Sequence, residues 1–398
     1  MQTSLERIAN KAKRDKKYRF QNLYRLLNEE LLASSWIRLN KRAASGADGI
    51  SYHEYAKGIA EKISKLTERL RAKRYKAKLI RRHYIPKTEG RMRPLGIPTI
   101  EDKLVQHAAA QILQAIYEQD FLTCSYGYRP KRDAKSAVKD LRASLQEGNY
   151  WYIVEADIKG FFDNINHDWL IRMLEQRIDD KAFIGLIRKW LKAGVLETDD
   201  KVIHPLTGTP QGGIISPVLA NIYMHYCLCL WFEKVVKKHC KGMAYLCVYA
   251  DDFVCAFEFK DDAKRFYKVL GKRFEKFNLQ LSPEKTKIVE FNRWTKEAFD
   301  FLGFEFKMSA MSRRHVRIRT SRKKLRNSIK AIKEWCKENR QKKLNDLFAG
   351  VNVKLRGYYN YYGIKGNSES LLRVHLEVQK ALFKWLNRRS QRKSLNWE

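Results

Sequence analysis

At 398 residues, with 44% hydrophobic and 12% aromatic content, the chain carries enough apolar material for packed cores and exceeds the usual single-core size, so two or three domains are expected. No apolar run approaches the length of a membrane span and no signal-peptide pattern opens the charged N-terminus, which excludes a membrane protein and predicts a soluble, cytoplasmic one. The net charge of +36 falls in three blocks, +7 over 1–45, +9 over 71–93 and +19 over 307–398, around a nearly neutral middle, and such blocks interleaved with aromatics predict a nucleic-acid partner.

Residues 1–45 carry apolar residues at roughly helical spacing and predict helices; SGADGIS, 45–51, is a loop, and 53–74 returns to helix. KLIRRHYIPKTEGRMRPLGIP, 78–98, predicts a basic β-hairpin turning at Lys87-Thr88-Glu89-Gly90, with prolines limiting both arms. A long helix starts at Thr99, an N-cap type followed by acids in the first turn. A second helix follows SYGYRPKRDA, and WYIVEADIKGFFDNI then predicts an apolar strand. Residues 166–195 read as helical and 201–213, with TGTPQGG, as loop; Ser216-Pro217 opens a helix to about Lys241. Cys227 and Cys229 lie in that helix, and the seven cysteines, odd in number and without C-x-x-C pairs, read as reduced core residues. LQLSPEKTKIVEF and FDFLGFEFK predict further strands, and basic helices run from about 320 to the end. This order of helices and strands predicts an α+β fold.

AYLCVYADDFVCAFEF, 244–259, predicts strand, tight turn, strand, with Asp251 and Asp252 at the bend. Aspartate is a common turn former. Two like charges between apolar flanks nevertheless repel and lose hydration unless a cation or proton offsets them. A divalent-metal site needs a further carboxylate, and Asp157, ending the strand YIVEAD, supplies one. If that strand lies beside the hairpin, Asp157 and Asp251 can bridge two Mg²⁺ ions that activate a 3′-hydroxyl and neutralise a triphosphate, with Asp252 contributing more weakly.

The motifs IPKTEGRMRPLGIPTIEDKLVQ, YGYRP, ADIKGFFDNI, GTPQGGIISPVLANIYM, YADD, LSPEKTKI, FLGF and LRGYYNYYG follow one another along nearly the whole chain. In this order they resemble bacterial group II intron-encoded reverse transcriptase/maturases. The resemblance implies a right-hand polymerase fold, with an N-terminal helical extension over 1–45, fingers and palm over 46–310, and an α-helical thumb/maturase domain over 311–398. It implies catalysis by Asp157, Asp251 and Asp252 with two Mg²⁺ ions. It makes Lys87 and Arg93 the clamp on the incoming triphosphate, Phe162 the steric gate against a ribose 2′-hydroxyl, and Gln211 a contact to the nucleotide and new base pair. Arg322, Lys323, Lys324 and Arg326 on the basic thumb are expected to bind RNA. The tyrosines of LRGYYNYYG either stack on RNA bases or pack the thumb helices, with packing the stronger reading.

The partners implied are an RNA template and intron RNA, a DNA primer or target DNA, and deoxynucleoside triphosphates, with no membrane. No zinc-binding, HNH-like region follows the thumb, so the chain resembles the endonuclease-lacking type. The expected function is RNA-directed DNA polymerisation with assistance to group II intron splicing and mobility. The alternatives are a related polymerase used by the host in defence or repair, and a splicing-only maturase; the acids at Asp157, Asp251 and Asp252 argue against the last.

Overall fold

The structure is a computed structural model that describes residues 4–86, 92–199, 201–209, 212–295, 297–309, 315–389 and 395–396. Its N-terminal block holds α1 (Ser4–Arg14) and α2 (Glu29–Arg38), followed by α3 (Tyr52–Ala56) and α4 (Ile59–Arg71). The short loop between α2 and α3 ends in a capping box, in which Ser51 and Glu54 satisfy each other's backbone N–H groups. The basic hairpin forms as β1 (Ile80–Pro86) and β2 (Met92–Ile97), antiparallel, with Ile85 opposite Arg93. Its expected turn at residues 87–90 lies outside the described residues.

Helix α5 (Ile100–Tyr117) starts where predicted, with the Thr99 hydroxyl accepting from Asp102 N–H. It is buried on nearly every side because α1, α2 and later α10 all pack against it. Helix α6 (Ala134–Glu147) leads into β3 (Tyr152–Asp157), and α7 (Phe161–Asn164) follows within one turn. The region expected to be helical over 166–195 divides into α8 (His167–Glu175) and α9 (Lys181–Leu191). Asp180 breaks it by accepting from the Ala182 and Phe183 N–H groups, starting a new helix. Part of the expected loop is instead a short strand: β4 (Val195–Leu196) pairs antiparallel with β5 (Val202–Ile203), and β4 also extends the basic hairpin.

Helix α10 (Ser216–Met224) continues through two π-helical stretches, His225–Cys229 and Phe232–Val236, into α11 (Lys237–His239). Arg273 donates from its Nε to the Cys227 carbonyl at 3.0 Å and from Nη2 to the Tyr226 carbonyl at 3.1 Å. A side chain thus satisfies carbonyls in the widened stretch, where the regular ladder is disturbed. The strands β6 (Ala244–Tyr249) and β7 (Asp252–Phe257) form the expected hairpin, and α12 (Lys260–Glu275) precedes β8 (Lys287–Glu290). The order β6-β7-β3-β8 makes an antiparallel central sheet.

Each strand of that sheet splits its side chains between two cores. Val154, Ala156, Val248, Phe253 and Cys255 join the cluster around α5, α8, α10 and α12. Ile153, Cys247, Val254 and Ala256 join a second cluster with α6 and the C-terminal elements. Both faces are covered, which is why these strands read as almost continuous apolar runs. All seven cysteines are free and five are buried.

A second sheet, order β11-β10-β9, contains β9 (Ala298–Phe301), β10 (Phe304–Met308) and β11 (Val316–Thr320). The C-terminal region thus opens on a strand, paired with β10, before α13 (Arg322–Glu338), α14 (Leu344–Tyr362) and α15 (Ser368–Leu386). Among the described residues no helix is long and apolar enough to cross a membrane.

Candidate active site

The bend of the β6–β7 hairpin is a two-residue loop, Ala250-Asp251, with Tyr249 opposite Asp252. Ala250 has φ +59°, the value that glycine accommodates most readily in such turns. The neighbouring YGYRP segment holds it there. Ser125 bridges to Val248, Tyr126 N–H donates to the Val248 carbonyl at 2.9 Å, and Val248 N–H to the Cys124 carbonyl at 2.8 Å. Gly127 lies so close that a Cβ on it would stand 2.5 Å from the Ala250 nitrogen, and Asn221 of α10 donates to its carbonyl at 2.7 Å. Three separated motifs therefore fix one bend.

Asp157, the last residue of β3, is directly opposite Asp252 on β7. Opposed residues in an antiparallel pair share a face, so the register sets Asp157 beside Asp252, with Asp251 arriving from the turn. The Asp252 carboxyl is pushed up to about 6, first by desolvation between the cleft walls and then by the charges of Asp251 and Asp157, while Lys285 pulls the other way. Lys285 comes from a 3₁₀ turn, Pro283–Lys285, anchored where Ser282 N–H donates to the Asp157 carbonyl at 2.8 Å. Its Nζ pairs with Asp157 Oδ2 at 2.9 Å. In this arrangement no group of three or more His, Cys, Asp or Glu among the described residues is gathered to hold an ion.

The acids line a cleft of about 920 Å³ that also reaches Tyr128, Leu302-Gly303, Lys323, Lys324 and Tyr361. Tyr128, with φ +56°, has its hydroxyl pushed up by burial and then by Asp251, and the Arg93 charge opposes this. Arg93 also acts on Asp163, whose carboxyl is raised by burial. The Arg93 charge on the basic hairpin is thus felt by both Tyr128 and Asp163. Lys87 and Gln211 lie outside the described residues. Phe162 is 8% exposed, against 2% for Phe161, and its carbonyl accepts from Thr209 N–H at 2.8 Å. The GTPQGG loop is thereby tied to α7.

The four basic residues singled out at the start of α13 divide. Lys323 and Lys324 line the cleft, whereas Arg322 pairs with Glu305 at 3.7 Å and Arg326 donates to the Arg322 carbonyl at 3.4 Å. The tyrosines of LRGYYNYYG divide too. Tyr358 and Tyr362 are buried, and the Tyr358 hydroxyl donates to Thr320 Oγ1 at 3.2 Å. Tyr361 stands at the cleft with its hydroxyl on the Leu302 carbonyl at 3.0 Å. Gly303, at φ +78°, leaves no room for a Cβ, which would meet the Tyr362 hydroxyl at 2.9 Å.

Sequence reasoning quoted the segments of Tyr128, Lys285 and Tyr361 without assigning these residues to the site. Their only signal was membership of those motifs, since each reaches the cleft through a long-range contact.

The family model described as "Reverse transcriptase (RNA-dependent DNA polymerase)" matches residues 85–306, more than half of the chain, and that described as "Group II intron, maturase-specific domain" matches 311–398. The chain is 42% identical over 224 residues to the group II intron-encoded protein LtrA of Lactococcus lactis subsp. cremoris, a match covering 56% of this chain and 37% of that protein. It is 37% identical over 227 residues to an uncharacterized 91 kDa protein in a cob intron of Schizosaccharomyces pombe, covering 56% and 28%. It is 34% identical over 226 residues to protein YkfC of Escherichia coli, covering 55% and 59%. The matched stretch thus spans less than two thirds of each of these relatives. The chain belongs to the reverse transcriptase family, in its group II intron reverse transcriptase/maturase branch.

Proposed function

We propose that the chain is an RNA-directed DNA polymerase that copies RNA into DNA and that, through its basic helical end, acts as a maturase on a group II intron. The observation carrying this reading is the meeting of Asp157 and Asp252 across the sheet, with Asp251 at the adjoining turn, in a cleft bordered by cations. Three carboxylates without nitrogen or sulfur donors form a hard-oxygen set suited to Mg²⁺. The Asp252 carboxyl, raised first by burial and then by the Asp251 and Asp157 charges, fits a site completed by a cation. Asp157, Asp251 and Asp252 would hold two ions, Asp157 turning from Lys285 to do so. When bound, the ions supply Lewis acidity at the primer 3′-hydroxyl and offset triphosphate charge.

The remaining work belongs to the chain's own side chains. Arg93, together with Lys87, spreads cationic donors over the triphosphate oxygens. Phe162 lies under the sugar and excludes a 2′-hydroxyl, and Gln211 lies against the new base pair. Lys323 and Lys324 hold backbone phosphates of the template–primer duplex beside the acids. Tyr361 and the Leu302-Gly303 turn support the primer end. Arg322, Arg326 and the basic faces of α13–α15 hold intron RNA; the maturase-domain match over 311–398 and the charge of +19 over 307–398 support that assignment.

The test is extension of a DNA primer annealed to RNA, with deoxynucleoside triphosphates and Mg²⁺. The proposal expects a full-length DNA product that a chelator abolishes and restored Mg²⁺ recovers. A chain that binds the hybrid but adds no nucleotide contradicts it.

A further inference from the structure

The outer face of the β9–β11 sheet carries an arrangement that the polymerase site does not use. Side chains alternate along β10 and β11, so Phe304, Phe306, Val316 and Ile318 are buried while Glu305, Lys307, Arg317 and Arg319 face outward. The register sets Lys307 directly opposite Arg317, two like charges on one face, an unfavourable pairing. Neither has an ion-pair partner among the described residues, whereas Arg319 is paired with Glu369 at 2.6 Å and Glu305 with Arg322 at 3.7 Å. This face forms a groove of about 200 Å³ that Arg293 also lines. The Arg293 Nε is buried without a hydrogen-bond partner.

Arg293 and Met308 are also walls of an adjoining cleft of about 470 Å³, lined by Trp151, Tyr152 and Trp294. Trp294 is 73% exposed, and its ring carries the Arg293 guanidinium at 4.0 Å. It does not hang loosely. Asn292 Oδ1 accepts from the Trp294 and Thr295 N–H groups, both at 2.8 Å, and Thr295 Oγ1 donates to the Glu290 carbonyl at 2.8 Å. Neither groove nor cleft shares a lining residue with the cleft of the three aspartates. They are nevertheless neighbours: Asp300, which lines the aspartate cleft, is opposite Glu305 in the sheet.

We infer that this groove and its aromatic end bind an unpaired RNA segment running along the β9–β11 sheet, with phosphates on Lys307, Arg317 and Arg293 and a base stacked on Trp294. The combination is what single-strand binding requires: a cationic track for the backbone and an aromatic face that accepts any base. A duplex, with its bases stacked inside, has no use for Trp294. RNA is the expected strand because it is the polymer that the proposed function brings to the chain as template and as intron, and the inference rests on that reading.

The experiment uses the full chain and an unstructured 12-nucleotide oligouridylate bearing one 5-iodouridine, irradiated and mapped by peptide mass spectrometry. Mapping decides, since other basic surfaces also bind RNA. The expected result is a crosslink at Trp294. In the Lys307→Gln/Arg317→Gln variant, which keeps Trp294, its yield should fall about fivefold, and the salt slope of binding should flatten by about one unit. Trp294→Ala should abolish the crosslink. Both variants should extend a saturating RNA–DNA primer hybrid at the wild-type rate, because they leave the aspartate cleft untouched. Crosslinks absent from Trp294, an unchanged yield in the double variant, or tighter binding of the matching DNA oligomer would each overturn the inference. A wild-type chain that crosslinks at Trp294 yet extends no primer leaves this site standing and removes the polymerase reading instead.

Discussion

Asp252 is desolvated in the cleft and faces one carboxylate across the sheet and another beside it in sequence, and together these raise its affinity for a proton. Its carboxyl, ordinarily near 3.8, is pushed up to about 6, so between those values the folded chain binds more protons than the unfolded one. In the metal-free protein this group's contribution to stability therefore falls as pH rises from about 4 through about 6, and levels off above. The full shift corresponds to about 3 kcal/mol, which solvent in the open cleft screens to about 1 kcal/mol. Asp252→Asn should accordingly melt about 1–2 °C higher than wild type at pH 7 without metal, and no higher at pH 4. Adding Mg²⁺ should stabilise wild type more than the variant, which keeps Asp157 and Asp251. Thermal melts at two pH values, with and without Mg²⁺, check both; a variant less stable than wild type at pH 7 would mean the repulsion is already neutralised inside the fold.

At the scale of elements, the sequence revealed strands and helices wherever periodicity was local, and concealed what long-range pairing decides. The alternation in AYLCVY and FVCAF made the β6–β7 hairpin legible, and the acids at its bend raised the need for Asp157. The register that sets Asp157 opposite Asp252 rather than beside Asp251 was not legible, because it depends on how β3 meets a strand almost a hundred residues later. The π-helical stretches after α10 were hidden for a similar reason: Arg273, which satisfies their carbonyls, comes from another helix. So was the strand β11, a short alternation just before the helices expected from about residue 320, whose partner is β10. The YGYRP segment is the clearest case. In the sequence it was only the segment before a helix, yet its Gly127 is pressed against the Ala250 backbone. Gly127→Ala sets a Cβ 2.5 Å from that backbone nitrogen, so the hairpin bend must shift. Overpacking of this kind costs about 1–3 kcal/mol. Primer extension should fall at least tenfold while affinity for RNA stays within twofold of wild type. Extension at the wild-type rate would show that the bend tolerates movement and that YGYRP does not hold the acids.

Across the whole molecule, basic charge from separate elements converges on the cleft that holds the acids. The three aspartates lie on the floor of one cleft; Arg93 approaches from the hairpin side, and Lys323 and Lys324 from the helical end that carries much of the net +36. Replacing Arg322, Lys323, Lys324 and Arg326 together by glutamine should reduce the salt slope of RNA binding by about two units, since Arg322 is already paired with Glu305. At saturating hybrid the same variant should still add nucleotides, its acids being intact. An unchanged slope in a salt-series filter-binding assay would assign RNA binding to the N-terminal and hairpin blocks. The most direct test of the account as a whole takes Asp251→Asn, which removes one carboxylate charge and alters no basic surface, and measures primer extension and RNA affinity on the same preparation. The account predicts extension reduced by at least a thousandfold with RNA affinity within twofold of wild type; extension near the wild-type rate would contradict the assignment of the chemistry to these three aspartates.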